Sequence, residues 1–158
     1  MSAVYTLPSG AEVAELMHGL FGSAVTSVTP PEASVHSIAE YVNDSGSVVG
    51  YMGCDLAGGC RLGAALTMVP AGRVDEAVKE RQVPDTLSEN LDEIFNICVN
   101  LIASPDCGRV VLKRVLHGES SSDFAAAESG LSAAADTVTV GIDIPRYGVC
   151  RMVIARSC

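Results

Sequence analysis

The sequence predicts an α+β fold: an antiparallel sheet with long helices packed on it. Three observations carry this. Tight-turn signatures at Asn43-Asp44-Ser45-Gly46 and Pro145-Arg146-Tyr147-Gly148 each join two strand-like segments, and strands joined by tight turns pair antiparallel. Residues 87–103, LSENLDEIFNICVNLIA, hold the longest clean helical period in the chain. The element order is helix, hairpin, helices, strand, hairpin, which places helices on the sheet within one domain spanning residues 1–158.

Taken in order, residues 8–22 read as a first helix, with Ser9 as its cap and Val13, Leu16, Met17 and Leu20 on one face. Met17 and Phe21 read as core and His18 as an exposed helix residue. Residues 34–43 and 47–55 read as the two strands of a hairpin, with Gly50 and Gly53 marking bulges or close packing. Residues 56–69, rich in Ala, Gly and Leu, predict a tightly packed helix, and 73–81 a short charged one. In the central helix Leu87, Leu91, Ile94, Cys98, Leu101 and Ile102 form one apolar stripe. Asp85 or Thr86 caps its start and Pro105 follows its end. Residues 109–116 read as a strand, and 118–135 as a loop with a short helix over 123–128. Residues 137–144 and 148–155 form the closing hairpin.

Composition excludes several function classes. At 48% hydrophobic the chain is not disordered. A net charge of −9, from ten basic against nineteen acidic residues, argues against nucleic acid or an anionic membrane surface as partner. No apolar run approaches the roughly 20 residues of a membrane span, and the first residues lack the pattern of a secretory signal. The cysteines at 54, 60, 98, 107, 150 and 158 form no Cys-x-x-Cys pair and lie mostly in apolar segments, so they read as reduced and the chain as cytoplasmic. His18, His36 and His117 flank no Cys at ligand spacing, so no metal site is expected. No phosphate-binding glycine loop, nucleophile elbow or His-Glu-x-x-His is present. Asp55 reads as a turn residue, Asp143 as a solvent-facing strand residue, and Arg109, Lys113 and Arg114 as the exposed side of a strand, with an acidic partner as the alternative.

What remains is the polar back of the central helix. Glu89, Glu93, Asn96 and Asn100 are spaced four, three and four residues apart and share one line. The plain alternative is a solvated helix face. Each Asn inside a helix costs about 0.5 kcal/mol relative to Ala, however, and the pattern offers no folding reason for Asn96 and Asn100.

These residues, in this order, resemble the CheC/CheX/FliY family of chemotaxis phosphatases. The likeness runs through Gly53-Cys54-Asp55-Leu56-Ala57-Gly58, then Ala64-Ala65-Leu66, then Asp75-Glu76, then Glu93-Ile94-Phe95-Asn96. It covers roughly residues 46–103, and with one such helix the chain is most similar to the CheX branch. The family prefers Asp or Ser four residues before the motif Glu, where this chain has Glu89. The resemblance implies a hydrolase acting on the aspartyl phosphate of a CheY-like response-regulator receiver. Glu93 and Asn96 would be its catalytic residues, with Glu89 and Asn100 in partner binding. No cofactor would be bound by this chain, Mg²⁺ being held by the receiver, and a homodimer would be expected. The alternatives are a non-catalytic module that uses the same helix only for binding, and a small-molecule binder with its pocket beneath the Ala/Gly-rich helix.

Overall fold

Two local turns set the strand pairing. Asn43 Oδ1 accepts the backbone N–H groups of Ser45 and Ser47, both at 3.1 Å, and so closes the hairpin between β2 (Val35–Val42) and β3 (Val48–Asp55). The turn at Pro145 to Gly148, with Arg146 and Gly148 at positive φ, joins β5 (Asp136–Ile144) to β6 (Gly148–Arg156). A computed structural model describes residues 6–118 and 121–158. Among these the six strands form one antiparallel sheet, ordered β1-β5-β6-β3-β2-β4, with β1 at Thr26–Val28 and β4 at Val111–His117. The closing hairpin thus docks beside the first through β6 and β3.

The helices are α1 (Gly10–Phe21), α2 (Leu56–Thr67), α3 (Ala71–Glu80), α4 (Asp85–Ile97), α5 (Val99–Ile102) and α6 (Ser122–Ala133). Ser9 caps α1 in a reciprocal box with Glu12, each accepting the other's backbone N–H at 3.2 Å. Val13 and Met17 of α1, Leu62 of α2, and Leu91, Ile94 and Phe95 of α4 pack on one face of the sheet against Tyr41, Met52, Cys54, Ile142 and Ile154. Residues alternate across a strand, so Ile38, Tyr51 and Ala155 point the other way and meet Ala127 and Leu131 of α6. Helices on both faces explain why β2 is buried from Ser37 to Val42 rather than in alternation. Gly50 meets Ile102 and Gly53 meets Val35 and Leu131: both are sites of close packing.

Three expectations need correction. The segment 118–135 is not a loop with a short helix: α6 runs from Ser122 to Ala133, capped by Ser121, whose Oγ accepts the Phe124 N–H at 3.1 Å. Its Ala- and Ser-rich sequence has almost no amphipathic contrast, and Gly130 lies against the hydroxyl end of the Tyr51 ring. Arg114 is not simply an exposed strand residue. It bonds Glu40, its direct neighbour in the β2–β4 ladder, at 3.0 Å and Asp123 of α6 at 3.4 Å. Glu40 is 4% exposed, and a buried carboxylate needs such a partner.

The six cysteines are not all free thiols. Cys107 and Cys158 are joined in a disulfide, their Cα atoms 5.2 Å apart across 51 residues of sequence. Such a bond suits an oxidising compartment and is at odds with a fully reduced set. Cys54, Cys60, Cys98 and Cys150 are free and buried. Burial, with Cys54 nearby, pushes Cys60 up to about 11 and Cys98 up to about 12. These thiols act as small hydrophobes. Intact-mass analysis after alkylation should therefore find four modified cysteines in protein denatured without reductant, and six after reduction.

His36 of β2 is also partly enclosed. Its Nδ1 is buried without a hydrogen-bond partner among the described residues. Burial first, then His117, then Arg81 hold its imidazole below the ordinary 6.5. The unfolded chain therefore takes up this proton at a higher pH than the folded one, so the neutral ring stabilises the fold above 6.5. That stability is lost as pH falls from there through the lowered folded-state value. Thermal midpoints should drop between about pH 7.5 and about pH 5.5, and His36→Gln should flatten part of the drop.

Candidate functional site

Helix α4 begins at Asp85, directly after Pro84, whose fixed φ of −60° and extended ψ set the entry angle. No side chain caps this end, so neither Asp85 nor Thr86 plays the expected role. Asp85 instead lies in the first turn, where its charge suits the helix dipole. Most of the predicted stripe is buried: Leu87, Leu91, Ile94, Cys98 and Ile102 are core residues joined by Phe95, whereas Leu101 is half-buried at the edge of the core.

The period does not run unbroken to 103. It pivots at Cys98, and Leu101 N–H reaches back only three residues, to the Cys98 carbonyl at 2.8 Å. Ser104 is then extended, as a residue before proline prefers. Glu89, Glu93 and Asn96 therefore share α4, whereas Asn100 sits beyond the pivot on α5. All four are exposed.

Their side chains differ in use. Asn100 Nδ2 donates to the Ile97 carbonyl at 3.3 Å, one of the carbonyls that the end of α4 leaves open. Glu93 and Asn96 form no hydrogen bond or ion pair with any described residue. They stand one turn apart, a carboxylate and an amide aimed at solvent. Asp85, Glu89 and Asp92 add further acids, and α4 carries no Lys or Arg. The face is anionic and suits a cationic partner surface.

Four anchors fix this helix, none of them singled out by the sequence pattern. Gly63 of α2 lies against the Leu87 backbone, where a Cβ would collide with the Leu87 carbonyl oxygen. Asn90 Nδ2 donates to the Gly63 carbonyl at 2.9 Å and to Thr67 Oγ1 at 2.8 Å. Buried Tyr41 donates its hydroxyl to the Phe95 carbonyl at 2.6 Å. Asp92 Oδ1 lies 2.6 Å from His117 Nε2 at the end of β4, and His117 Nδ1 lies 2.9 Å from Ser37 Oγ. Each pair is separated by 23 or more residues in sequence, so no local motif announces it.

The other sequence candidates are occupied elsewhere. Asp55 Oδ1 accepts the Arg151 backbone N–H at 3.0 Å, and Asp143 is an exposed strand residue opposite Val149. Where α2 meets β6 and α4, Gly58, Gly59 and Gly63 are in contact with Cys150, Leu91 and Leu87, so among the described residues that contact leaves no room for a small molecule. Among the described residues no group of three or more His, Cys, Asp or Glu is arranged to hold a metal ion, and no helix is long and apolar enough to cross a membrane.

No family model and no curated protein matches the chain. Among solved structures it is similar to a chain of the CheX–CheY–BeF3–Mg²⁺ complex from Borrelia burgdorferi, at 11% identity and TM-score 0.41, covering 89% of this chain and 90% of that one. It is similar to the FliM middle domain from H. pylori, at 10% identity and TM-score 0.46, covering 94% and 84%. It is also similar to the chemotaxis protein CheX from Vibrio vulnificus, at 8% identity and TM-score 0.40, covering 90% and 89%.

Proposed function

We propose that this protein is a CheX-like phosphatase that removes the aspartyl phosphate from a CheY-like response-regulator receiver. The observation that carries the reading is the Glu93–Asn96 pair. Both side chains are exposed, lie one helical turn apart, and have no partner within the described residues, on a helix anchored at four points. The resemblance in residues 46–103 supplies the reaction class.

In this reading Glu93 pairs with a cationic receiver residue and seats the helix over the phosphorylated site. Glu89 extends the same anionic docking surface, and Asn100 lies at its far end. The Asn96 amide binds a water molecule and holds it in line with the phosphorus. The water oxygen forms the new P–O bond as the bond to the aspartyl oxygen breaks, releasing inorganic phosphate and a free carboxylate. An amide need not act as a base here, since phosphoryl transfer is served mainly by positioning and charge stabilisation. Mg²⁺ belongs to the receiver. A cytoplasmic setting and a homodimer are part of the same proposal, and in that setting the Cys107–Cys158 pair would face the reducing glutathione pool.

Glu89, in place of the family's Asp or Ser, favours a second reading: a non-catalytic module that docks through this face. One assay separates the two. A receiver phosphorylated by a small phosphodonor is mixed with the protein and phosphate release is followed. The phosphatase reading expects acceleration, a loss of about 100-fold in Asn96→Ala, and about tenfold or more in Glu93→Ala, with circular dichroism unchanged. Receiver binding without acceleration would establish the second reading, and neither binding nor acceleration would reject both.

A further inference from the structure

We propose that His117 is a positioning residue for the Glu93–Asn96 face, acting through a Ser37–His117–Asp92 chain that runs from the sheet to α4; its link to catalysis rests on the phosphatase reading above. Asp92 Oδ1 lies 2.6 Å from His117 Nε2. An ionised carboxylate can only accept, so Nε2 carries the hydrogen. His117 Nδ1 lies 2.9 Å from Ser37 Oγ, and the serine hydroxyl supplies the complementary hydrogen or lone pair. Ser37 is 1% exposed and directly opposite His117 in the β2–β4 ladder, so the imidazole is held by both backbone register and side chain. A nucleophilic role for Ser37 does not fit that burial.

Asp92 precedes Glu93 by one residue and Asn96 by four. At roughly 100° per residue it flanks both on the β4 side of the helix. Tyr41, four residues beyond Ser37 on the same face of β2, holds the Phe95 carbonyl. Tyr41 of β2 and His117 of β4, itself held by Ser37 of β2, therefore grip α4 at Phe95 and Asp92, about 4.5 Å apart along the helix. Two grips fix the rotation of the helix about its axis, and that rotation decides where an amide on its surface points. A displacement of about 1 Å can cost about 100-fold in a reaction that depends on positioning.

The test combines amide hydrogen exchange with phosphatase kinetics on the full chain. In His117→Ala, exchange at Glu93 to Asn96 should rise about tenfold or more while amides of α1 keep their wild-type rates. In the same variant kcat should fall about tenfold or more with little change in KM. His117→Gln, which keeps an N–H donor at the reach of Nε2, should recover most of both. Asp92→Asn, a surface substitution that preserves shape, provides the second variant should His117→Ala fail to fold, with the same directions and a smaller size. Unchanged exchange along α4 in either variant would overturn the inference. So would a uniform rise across all helices, which marks a merely structural role. If wild-type protein leaves phospho-receiver intact while exchange still rises locally, the phosphatase reading fails and the positioning of the face stands.

Discussion

The Tyr41–Phe95 hydrogen bond is the point on which the arrangement of helix and sheet turns. Tyr41 is wholly buried, and a phenol in an apolar core is costly unless bonded. Burial, with Cys98 alongside, pushes its ionisation well above the ordinary 10.0, so the hydroxyl stays a donor. The acceptor belongs to the last turn of α4, where helix geometry leaves carbonyls without intrahelical partners. Three carbonyls of that turn have partners beyond the end of the helix or from the sheet. Ile94 takes the Cys98 N–H at 2.9 Å, Phe95 takes the tyrosine hydroxyl at 2.6 Å, and Ile97 takes the Asn100 amide at 3.3 Å. The pivot at Cys98 thus costs few unsatisfied groups, and it lets the chain turn down to Ile102, which fills the space above Gly50.

The opposite side of α4 is set by what α2 lacks. With no side chain at Gly63, the Leu87 backbone comes close enough for Asn90 to reach the Gly63 carbonyl. An alanine there would place its Cβ against a backbone oxygen, which cannot move as a flexible side chain can. Gly58 does the same toward Cys150 of β6. The glycines of α2 are therefore packing devices that let two layers close on the helix. They also leave no free space between α2 and these two neighbours.

Local chemistry was readable from the sequence, and distant chemistry was not. The helix cap at Ser9, the hairpin turns after Asn43 and Pro145, and the buried stripe of α4 each depend on residues within a few positions of one another. The antiparallel α+β class follows from them. The length of α6 was hidden because alanine and serine give little contrast between its faces, with only Ala127 and Leu131 buried. Strand β1, three residues at the sheet edge, is too short to show a period. The Cys107–Cys158 bond spans 51 residues, and the partnership of Asp92 with His117 spans 25. Nothing in the spacing of the three histidines marks one of them as the neighbour of the candidate face.

Asn96 and Asn100 now separate. Each carries the same intrinsic cost in a helix, about 0.5 kcal/mol relative to Ala. At Asn100 the cost is offset, because the amide closes the Ile97 carbonyl where α4 ends. At Asn96 no described residue offsets it. The amide stands exposed, one turn from an equally unpartnered Glu93, while the peptide just before it is pinned by Tyr41. A residue that serves only solvation gains little from such a rigid base, since any polar side chain on any mobile surface would do as well. A residue that must present its amide to a second molecule at a fixed angle gains a great deal, because the ordering has been done before the partner arrives. That asymmetry between Asn96 and Asn100 narrows the polar line of the central helix to its Glu93–Asn96 segment.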